Sequence, residues 1–196
     1  MLKSWQRCLN VLKKIFLLTA ALMMISSQAS AMRLELDSQP VGKVTYYDEA
    51  YQVEGASNLS KRRAQFGTDF YIHFDKIARF GDKNKKNTVE VDVKGENLIY
   101  YIYNTAGADF YLIKNENIGT GDGVKVLGKH DDKWIVFLDA LELRKQYDIG
   151  WNFHMSEFFT KDNKIIFRYT LQNYIIDVEC HWHSVNQKFY SEVIER

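Results

Sequence analysis

Residues 174–183 read Tyr-Ile-Ile-Asp-Val-Glu-Cys-His-Trp-His, and from position 176 onward apolar and ionisable side chains alternate. Neighbouring side chains on a β-strand point to opposite sides of the sheet. This stretch therefore predicts a strand with one face buried in a core, while its other face carries two carboxylates and two imidazoles.

Similar runs recur along the chain at spacings typical of antiparallel sandwiches and barrels. The other candidate strands are Val41–Tyr47, Thr68–Asp75, Val89–Val93, Leu98–Tyr103, Asp109–Lys114, Val124–Gly128, Trp134–Leu138, Lys164–Leu171 and Lys188–Ile194. A content of 12 Tyr, 12 Phe and 4 Trp also favours strands, because large flat side chains suit a pleated, half-buried surface. We predict an all-β fold, a mostly antiparallel sandwich or barrel with one or two short helices.

Short polar connections predict three hairpins among these strands. They pair 89–93 with 98–103, 124–128 with 134–138, and 174–183 with 188–194. Two other segments, Ser57–Phe66 and Asp139–Tyr147, are the candidate helices; in the second, Asp139 and Glu142 have the spacing of a capping box. The glycine-rich run 119–123 precedes a strand and not a helix, and we interpret it as a turn.

The first 31 residues have the pattern of a secretory signal peptide. Four basic residues precede an apolar run from Ile15 to Ile25, and Ala29-Ser30-Ala31 supplies a small-residue cleavage site. The apolar run is too short to cross a bilayer, which takes about 20 residues. We therefore expect an exported protein, periplasmic, at the cell surface or extracellular, with no transmembrane segment after cleavage.

Residues 32–196 are expected to form a single β-rich domain. They contain 22 basic and 25 acidic residues, a formal charge of −3. Since nucleic-acid binding depends on neutralising phosphates with a surplus of Lys and Arg, we exclude nucleic acid as a partner. Cys180 is the one cysteine in this segment, so an intramolecular disulfide is excluded too.

The ionisable face of 174–183 is the main candidate site. His181 and His183, two positions apart on one strand face, can present ring nitrogens to one divalent metal, and Glu179 is a candidate third ligand. A further ligand is expected from His73 or Asp75 if the sheet brings them alongside. Two alternatives remain open: a solvent-facing strand, or a pH-sensitive face in which protonated His181 and His183 pair with the carboxylates.

We identify no catalytic residue. Cys180 falls on the apolar side of its strand, away from His181, so it lacks the adjacent base that a nucleophilic thiol needs. Ser156 lies near His154 and Glu157, but without the flanking glycines of a nucleophile elbow. An enzyme is therefore less favoured than a binding protein.

Three segments resemble the small exported bacterial proteins grouped as surface-adhesin protein E. These are Lys133–Asp139, Ile176–Cys180 and Gln187–Ser191, within about the last sixty residues. In that family a strand opens with Trp and aromatic residues before an Asp, and a later strand ends in Cys. The chain departs from the pattern at residues 140–143, Ala-Leu-Glu-Leu, where a Ser-rich turn is expected. The resemblance implies a β-rich envelope or surface domain that binds a partner and has no defined catalytic residues.

The sequence thus predicts an exported envelope or surface β domain that acts by binding an envelope component or a small molecule. Two alternatives stay open. One is a carrier with a barrel cavity for a small apolar ligand. The other is a metal-dependent protein that uses His181 and His183.

Overall fold

A computed structural model describes residues 33–47, 50–60, 63–67, 69–74, 77–105 and 108–196. Within it, Arg33–Arg196 is a compact unit. The predicted signal peptide, residues 1–31, lies outside the described residues. Within the described ranges, no helix combines the length and the apolar character needed to cross a bilayer.

Antiparallel strands dominate the described chain, which confirms the predicted all-β class. The strands are β1 (Leu34–Leu36), β2 (Gly42–Tyr47), β3 (Ala50–Glu54), β4 (Asn58–Ser60), β5 (Arg63–Phe66), β6 (Phe70–Phe74), β7 (Ala78–Gly81), β8 (Thr88–Glu90), β9 (Gly95–Asn104), β10 (Phe110–Asn115), β11 (Val124–His130), β12 (Lys133–Asp139), β13 (His154–Lys161), β14 (Lys164–Leu171), β15 (Tyr174–His183) and β16 (Lys188–Glu195). One short helix, α1 (Ala140–Gln146), follows β12 in the described part of the chain.

The strands form three sheets. The central sheet has the order β12-β11-β10-β9-β2-β3, and β1 pairs with the far end of β9. The β4–β8 sheet and the β13–β16 sheet are meanders in which each strand pairs with the next along the chain.

Neighbouring residues of β10 show how the sheets are layered. The ring of Tyr111 stacks on Phe70 of the β4–β8 sheet, with centroids 4.0 Å apart and planes 8° apart. The ring of Phe110 meets Trp182 and Phe189 of the β13–β16 sheet at 4.9 and 5.2 Å. Because consecutive side chains leave a strand on opposite sides, the central sheet is covered on both faces and the fold has three layers.

Two aromatic cores result, one between the central and β4–β8 sheets and one between the central and β13–β16 sheets. Gly128 of β11 allows close packing in the second. A Cβ atom at this position would lie 2.6 Å from Phe110 and 2.9 Å from Phe137. The absence of a side chain lets both rings lie against the β11 backbone, which positions them for the edge contacts with Trp182.

Two predicted hairpins are confirmed and one is wrong. β11 pairs with β12, and β15 pairs with β16, as the polar connections indicated. The predicted hairpin of 89–93 with 98–103 does not form, because β8 pairs with β7 and β9 pairs with β10 and β2. Val91 and Val93 are buried between the sheets. Their alternating pattern therefore belongs to a segment that crosses from the β4–β8 sheet to the central sheet, and not to a hairpin strand.

One of the two predicted helices is correct. α1 begins after Asp139, whose side chain accepts a hydrogen bond from the Leu141 amide at 3.0 Å as an N-cap. In a capping box, the Glu142 side chain would accept a hydrogen bond from the backbone amide of Asp139. In the structure the Glu142 carboxylate contacts Lys145 at 2.8 Å instead. The segment Ser57–Phe66 contains strands β4 and β5, and the prediction of a helix there is wrong. Ala64 and Phe66 are buried at a spacing of two, so pairing with β6 determines the local structure.

Candidate functional site

All three sheets contribute residues to one open cleft with a volume of about 490 Å³. The β4–β8 sheet provides Asp69 from the turn before β6. The central sheet provides Asp109, Tyr111 and the β11–β12 turn, and the β13–β16 sheet provides Trp182 with the turn that follows β15. A cleft of this size is in the usual range for small-molecule sites.

Three aromatic side chains form the base of the cleft. Tyr111, Trp134 and Trp182 are only 5%, 4% and 6% exposed, so a small part of each side chain reaches solvent. Tyr111 and Trp134 pack together with centroids 6.0 Å apart, and Trp182 packs against Phe137 at 5.1 Å. The base is therefore held in place by the two aromatic cores.

Carboxylates surround this base. Asp109 accepts a hydrogen bond from the Tyr101 hydroxyl at 2.6 Å. Burial, with a contribution from the charges of Asp109 and Asp69, raises the pKa of Tyr111 to about 12. Both carboxylates thus act on the hydroxyl at the base of the cleft, which stays protonated at neutral pH.

Two further aspartates form the tip of the β11–β12 hairpin. Asp131 and Asp132 have φ angles of 47° and 59° and are the two residues between the paired positions His130 and Lys133. A two-residue loop with two positive φ angles matches the right-handed twist of the strands, and Asp tolerates it well. The hairpin geometry therefore places two negative charges at the cleft rim.

Lys129 is the basic residue of the lining, and its charge is balanced nearby. Its Nζ lies 3.0 Å from Oδ1 of Asp82 and 5.5 Å from the centroid of the Trp134 ring. Trp134 donates from Nε1 to the same carboxylate oxygen at 2.8 Å. Although burial opposes ionisation of Asp82, hydrogen bonds from Trp134, Lys129 and Asn87 keep its pKa below the usual value.

The predicted site on β15 is organised differently from the expectation. Val178, Cys180 and Trp182 are buried, as predicted for the apolar face, whereas Tyr174 is 67% exposed. Asp177, on the ionisable face, is fully buried. Its two oxygens accept hydrogen bonds from Nε and Nη2 of Arg168 at 2.7 and 2.8 Å, and Arg196 lies 3.3 Å away.

Glu179 continues this ion-pair network. Its Oε2 accepts a hydrogen bond from Lys164 Nζ at 2.6 Å, and Oε1 lies 3.7 Å from Arg196. The hydrogen bond to Glu179, followed by the one to Glu192, raises the pKa of Lys164. Two of the predicted ionisable residues, Asp177 and Glu179, are thus paired with arginine and lysine side chains on one face of the β13–β16 sheet.

His181 and His183 both contact Tyr190 of β16. The ring centroids are 5.7 Å apart in each case, with His181 stacked and His183 edge-on. The Nδ1 atom of His183 accepts a hydrogen bond from the Asn186 amide at 3.3 Å. The two imidazoles therefore share a face, as predicted.

No group of three or more His, Cys, Asp or Glu side chains arranged to hold a metal ion is found among the described residues. The suggested partner His73 lies on β6 in another sheet, where its Nε2 is 2.7 Å from the carbonyl oxygen of Asp82. Asp75 lies outside the described residues. A divalent metal held by His181, His183 and Glu179 stays a prediction.

Cys180 and Ser156, the two side chains considered as nucleophiles, are engaged in packing or lie beside a backbone carbonyl group. Cys180 is buried, and burial raises the pKa of its thiol to about 12, so it remains protonated and packs as a small apolar side chain. The Ser156 hydroxyl lies on β13, 3.4 Å from the carbonyl oxygen of Arg168.

Sequence reasoning missed the cleft. In the sequence, Asp131 and Asp132 fall in a predicted hairpin connection, Asp69 falls within the predicted strand 68–75, and Asp109 begins the predicted strand 109–114. A run of two acidic residues between two apolar strands was a visible signal for a charged hairpin tip. Its position beside Trp134 and Trp182 depends on the packing of three sheets.

Comparison of the chain with protein-family models, with curated proteins and with solved structures gave no significant match. The resemblance to surface-adhesin protein E therefore stays a prediction.

Proposed function

We propose that this protein is an exported β domain of the cell envelope or cell surface that acts by binding a ligand in the cleft between the three sheets. The observation that carries the proposal is the cleft itself, about 490 Å³ in volume, with an aromatic base and a polar rim. Seven of the eleven lining residues are polar or charged and three are aromatic, so the cleft offers a ligand both aromatic contact and many polar partners.

The packing beneath the cleft supports binding to a preformed surface. Trp182 and Tyr111 are fixed by contacts with Phe110 and Phe70, which belong to separate cores. A base that is already ordered loses little conformational entropy when a ligand binds, so more of the contact energy contributes to affinity.

The raised pKa values of Tyr111, at the cleft, and of Cys180, in the core, fit structural roles for both groups. The pKa of Tyr111 and that of Cys180 are each raised to about 12, mainly by burial. A general base or nucleophile works best with a pKa near the working pH. These two groups are therefore suited to packing and hydrogen bonding.

Export is the part of the proposal that depends on residues 1–31. The full chain with a C-terminal tag, expressed in a Gram-negative bacterium, is expected in the periplasm or medium, and N-terminal sequencing of that product should begin at Met32. A cytoplasmic product that retains residues 1–31 would contradict export.

Binding through the cleft is tested with the exported product and labelled envelope fractions. We expect saturable retention that is lost in Ser184→Trp, which places an indole at the cleft rim. Asn173→Trp adds the same bulk to the exposed β14–β15 turn and should retain the fractions normally. Equal retention by both variants, or no saturable retention by the parent, would overturn the assignment of binding to the cleft.

A further inference from the structure

The charged groups at the cleft are strongly unequal in number. Of its charged lining residues, four are aspartates and one is Lys129. The Lys129 ammonium already has a partner in Asp82 at 3.0 Å, which lies beside the cleft. Asp69, Asp131 and Asp132 lie in turns and are exposed; the Asp131 carboxylate lies 3.6 Å from Nε2 of His130, and the charge of all three faces solvent at the cleft.

The aromatic base complements this charge. The faces of indole and phenol rings carry partial negative charge and attract cations within about 6 Å of the ring centroid. The protein shows the interaction internally, because the Lys129 ammonium lies 5.5 Å from the Trp134 centroid. An ammonium group beside the cleft base is thus a geometry that this site already contains.

From these two observations we infer that the cleft binds an organic cation that carries primary ammonium groups, with aspartates at its rim and Tyr111, Trp134 and Trp182 at its base. This inference rests on the proposed binding function and specifies its ligand class. Free polyamines and lysine side chains of a basic peptide share this chemistry.

The carboxylates come from three separate loops: Asp69 precedes β6, Asp109 precedes β10, and Asp131 with Asp132 connects β11 to β12. A ligand with several amines spaced along a flexible chain can reach more than one of them at once. A compact cation with one charge engages fewer. We therefore expect affinity to rise with the number of amines.

The test is calorimetric titration of the exported product with spermidine. Saturable binding is expected, and it should weaken as ionic strength rises from about 0.01 M to about 0.1 M, since the Debye length falls from ~30 Å to ~10 Å. Fully N-acetylated spermidine, which lacks the ammonium charges, should not bind. Maltotriose is the neutral comparison and should not bind either.

The hairpin tip provides a matched pair of variants. Asp131→Asn with Asp132→Asn removes two rim charges, and Asn tolerates positive φ. Asp148→Asn with Asp162→Asn removes two exposed charges outside the cleft lining, at residues with φ angles of 51° and 50°. We expect the first double variant to weaken spermidine binding about tenfold, and the second to leave it unchanged.

Each outcome decides the inference. Absence of saturable spermidine binding, equal effects of the two double variants, or preferential binding of maltotriose or the acetylated analogue would overturn it. If envelope fractions are retained through the cleft and spermidine does not compete, the inference of a cationic ligand is wrong, while the proposed binding function stands. Competition by a lysine-rich peptide stronger than that by spermidine identifies a peptide source for the same ammonium chemistry.

Discussion

Arg144 and Asp122 form a buried ion pair in which Nε and Oδ2 lie 2.8 Å apart and the two side chains are 1% and 2% exposed. The other guanidinium nitrogens donate to the carbonyl oxygens of Ile149, Gly150 and Phe153. Helix α1 is thereby joined to the 119–123 turn and to the loop that leads into β13. The predicted turn at 119–123 is confirmed, and its charged residue has a structural role.

We expect Arg144→Met to lower the free energy of unfolding by about 3–5 kcal/mol, because Asp122 would remain buried without a partner. Urea denaturation measures the change. Lys145→Met, at the next position and on the exposed side of the helix, is the control and should keep the parent midpoint. Identical midpoints for the two variants would show that the pair does not stabilise the fold.

Gly128→Ala should destabilise the protein by about 1–3 kcal/mol, because the added Cβ would overlap the rings of Phe110 and Phe137. Gly119→Ala is a suitable control, since a Cβ there has no neighbour within 4 Å. Thermal or urea unfolding of both variants checks the prediction. A Gly128→Ala protein as stable as the control would mean that the core relaxes freely.

Stability should fall as pH rises from about 9 to 12. Burial raises the pKa of Cys180 and of Tyr111 to about 12 in the folded state, while the unfolded chain titrates near the usual values of about 8.5 and 10. Above those values the unfolded state binds fewer protons, so unfolding is favoured as pH rises through the folded pKa values. The effect is measured by urea denaturation across this pH range.

Tyr111→Phe should make this alkaline loss shallower between about pH 10 and 12, since it removes one of the groups with a raised pKa. Tyr190→Phe is the matched control. Hydrogen bonding with Lys188 lowers the pKa of Tyr190, so its removal should not reduce the loss. A parent-like slope in Tyr111→Phe would contradict the prediction.

The metal hypothesis predicts about one equivalent of a divalent metal in protein never exposed to chelator or nickel resin. His181→Ala with His183→Ala should abolish it, while His154→Ala, an exposed histidine on β13, should not. Elemental analysis makes the measurement. Less than stoichiometric metal that is unchanged in the double variant would end the hypothesis.

The alternative of an apolar-ligand carrier predicts a co-purifying small molecule. Native mass spectrometry of the exported product should then show mass above that of the polypeptide, and an apolar dye should compete for the site. A bare polypeptide and no dye binding would exclude it.

Local patterns were sufficient to predict strand β15 with the same bounds, the hairpins that pair β11 with β12 and β15 with β16, and the helix capped by Asp139. In each case neighbouring residues determine the structure. Val89–Val93 shows the limit, since alternation reports burial on one side and does not say which strand is the partner. The three-layer arrangement was not predicted, because both faces of β10 are apolar and such a run does not distinguish one core from two.

The functional features depend still more on tertiary structure. The sequence predicts Asp177 on an ionisable face, and the structure confirms this face, which also carries Arg168 and Glu179. The complete burial of Asp177 was not predicted, because it depends on the side chains of Arg168 and Arg196. The aspartates of the cleft belong to turns distant in sequence. Turn residues look alike in a sequence whether they face open solvent or a common site.

β10 supplies Phe110 to one aromatic cluster and Tyr111 to the other, so a single strand is a shared wall of both interiors. A register shift of one residue in this strand would move Phe110 and Tyr111 to the opposite faces of the sheet. Both cores would then be mispacked. Each outer layer packs part of its aromatic core against this strand. We therefore expect the domain to melt in one concerted step, with chemical probes in both outer layers reporting the same midpoint.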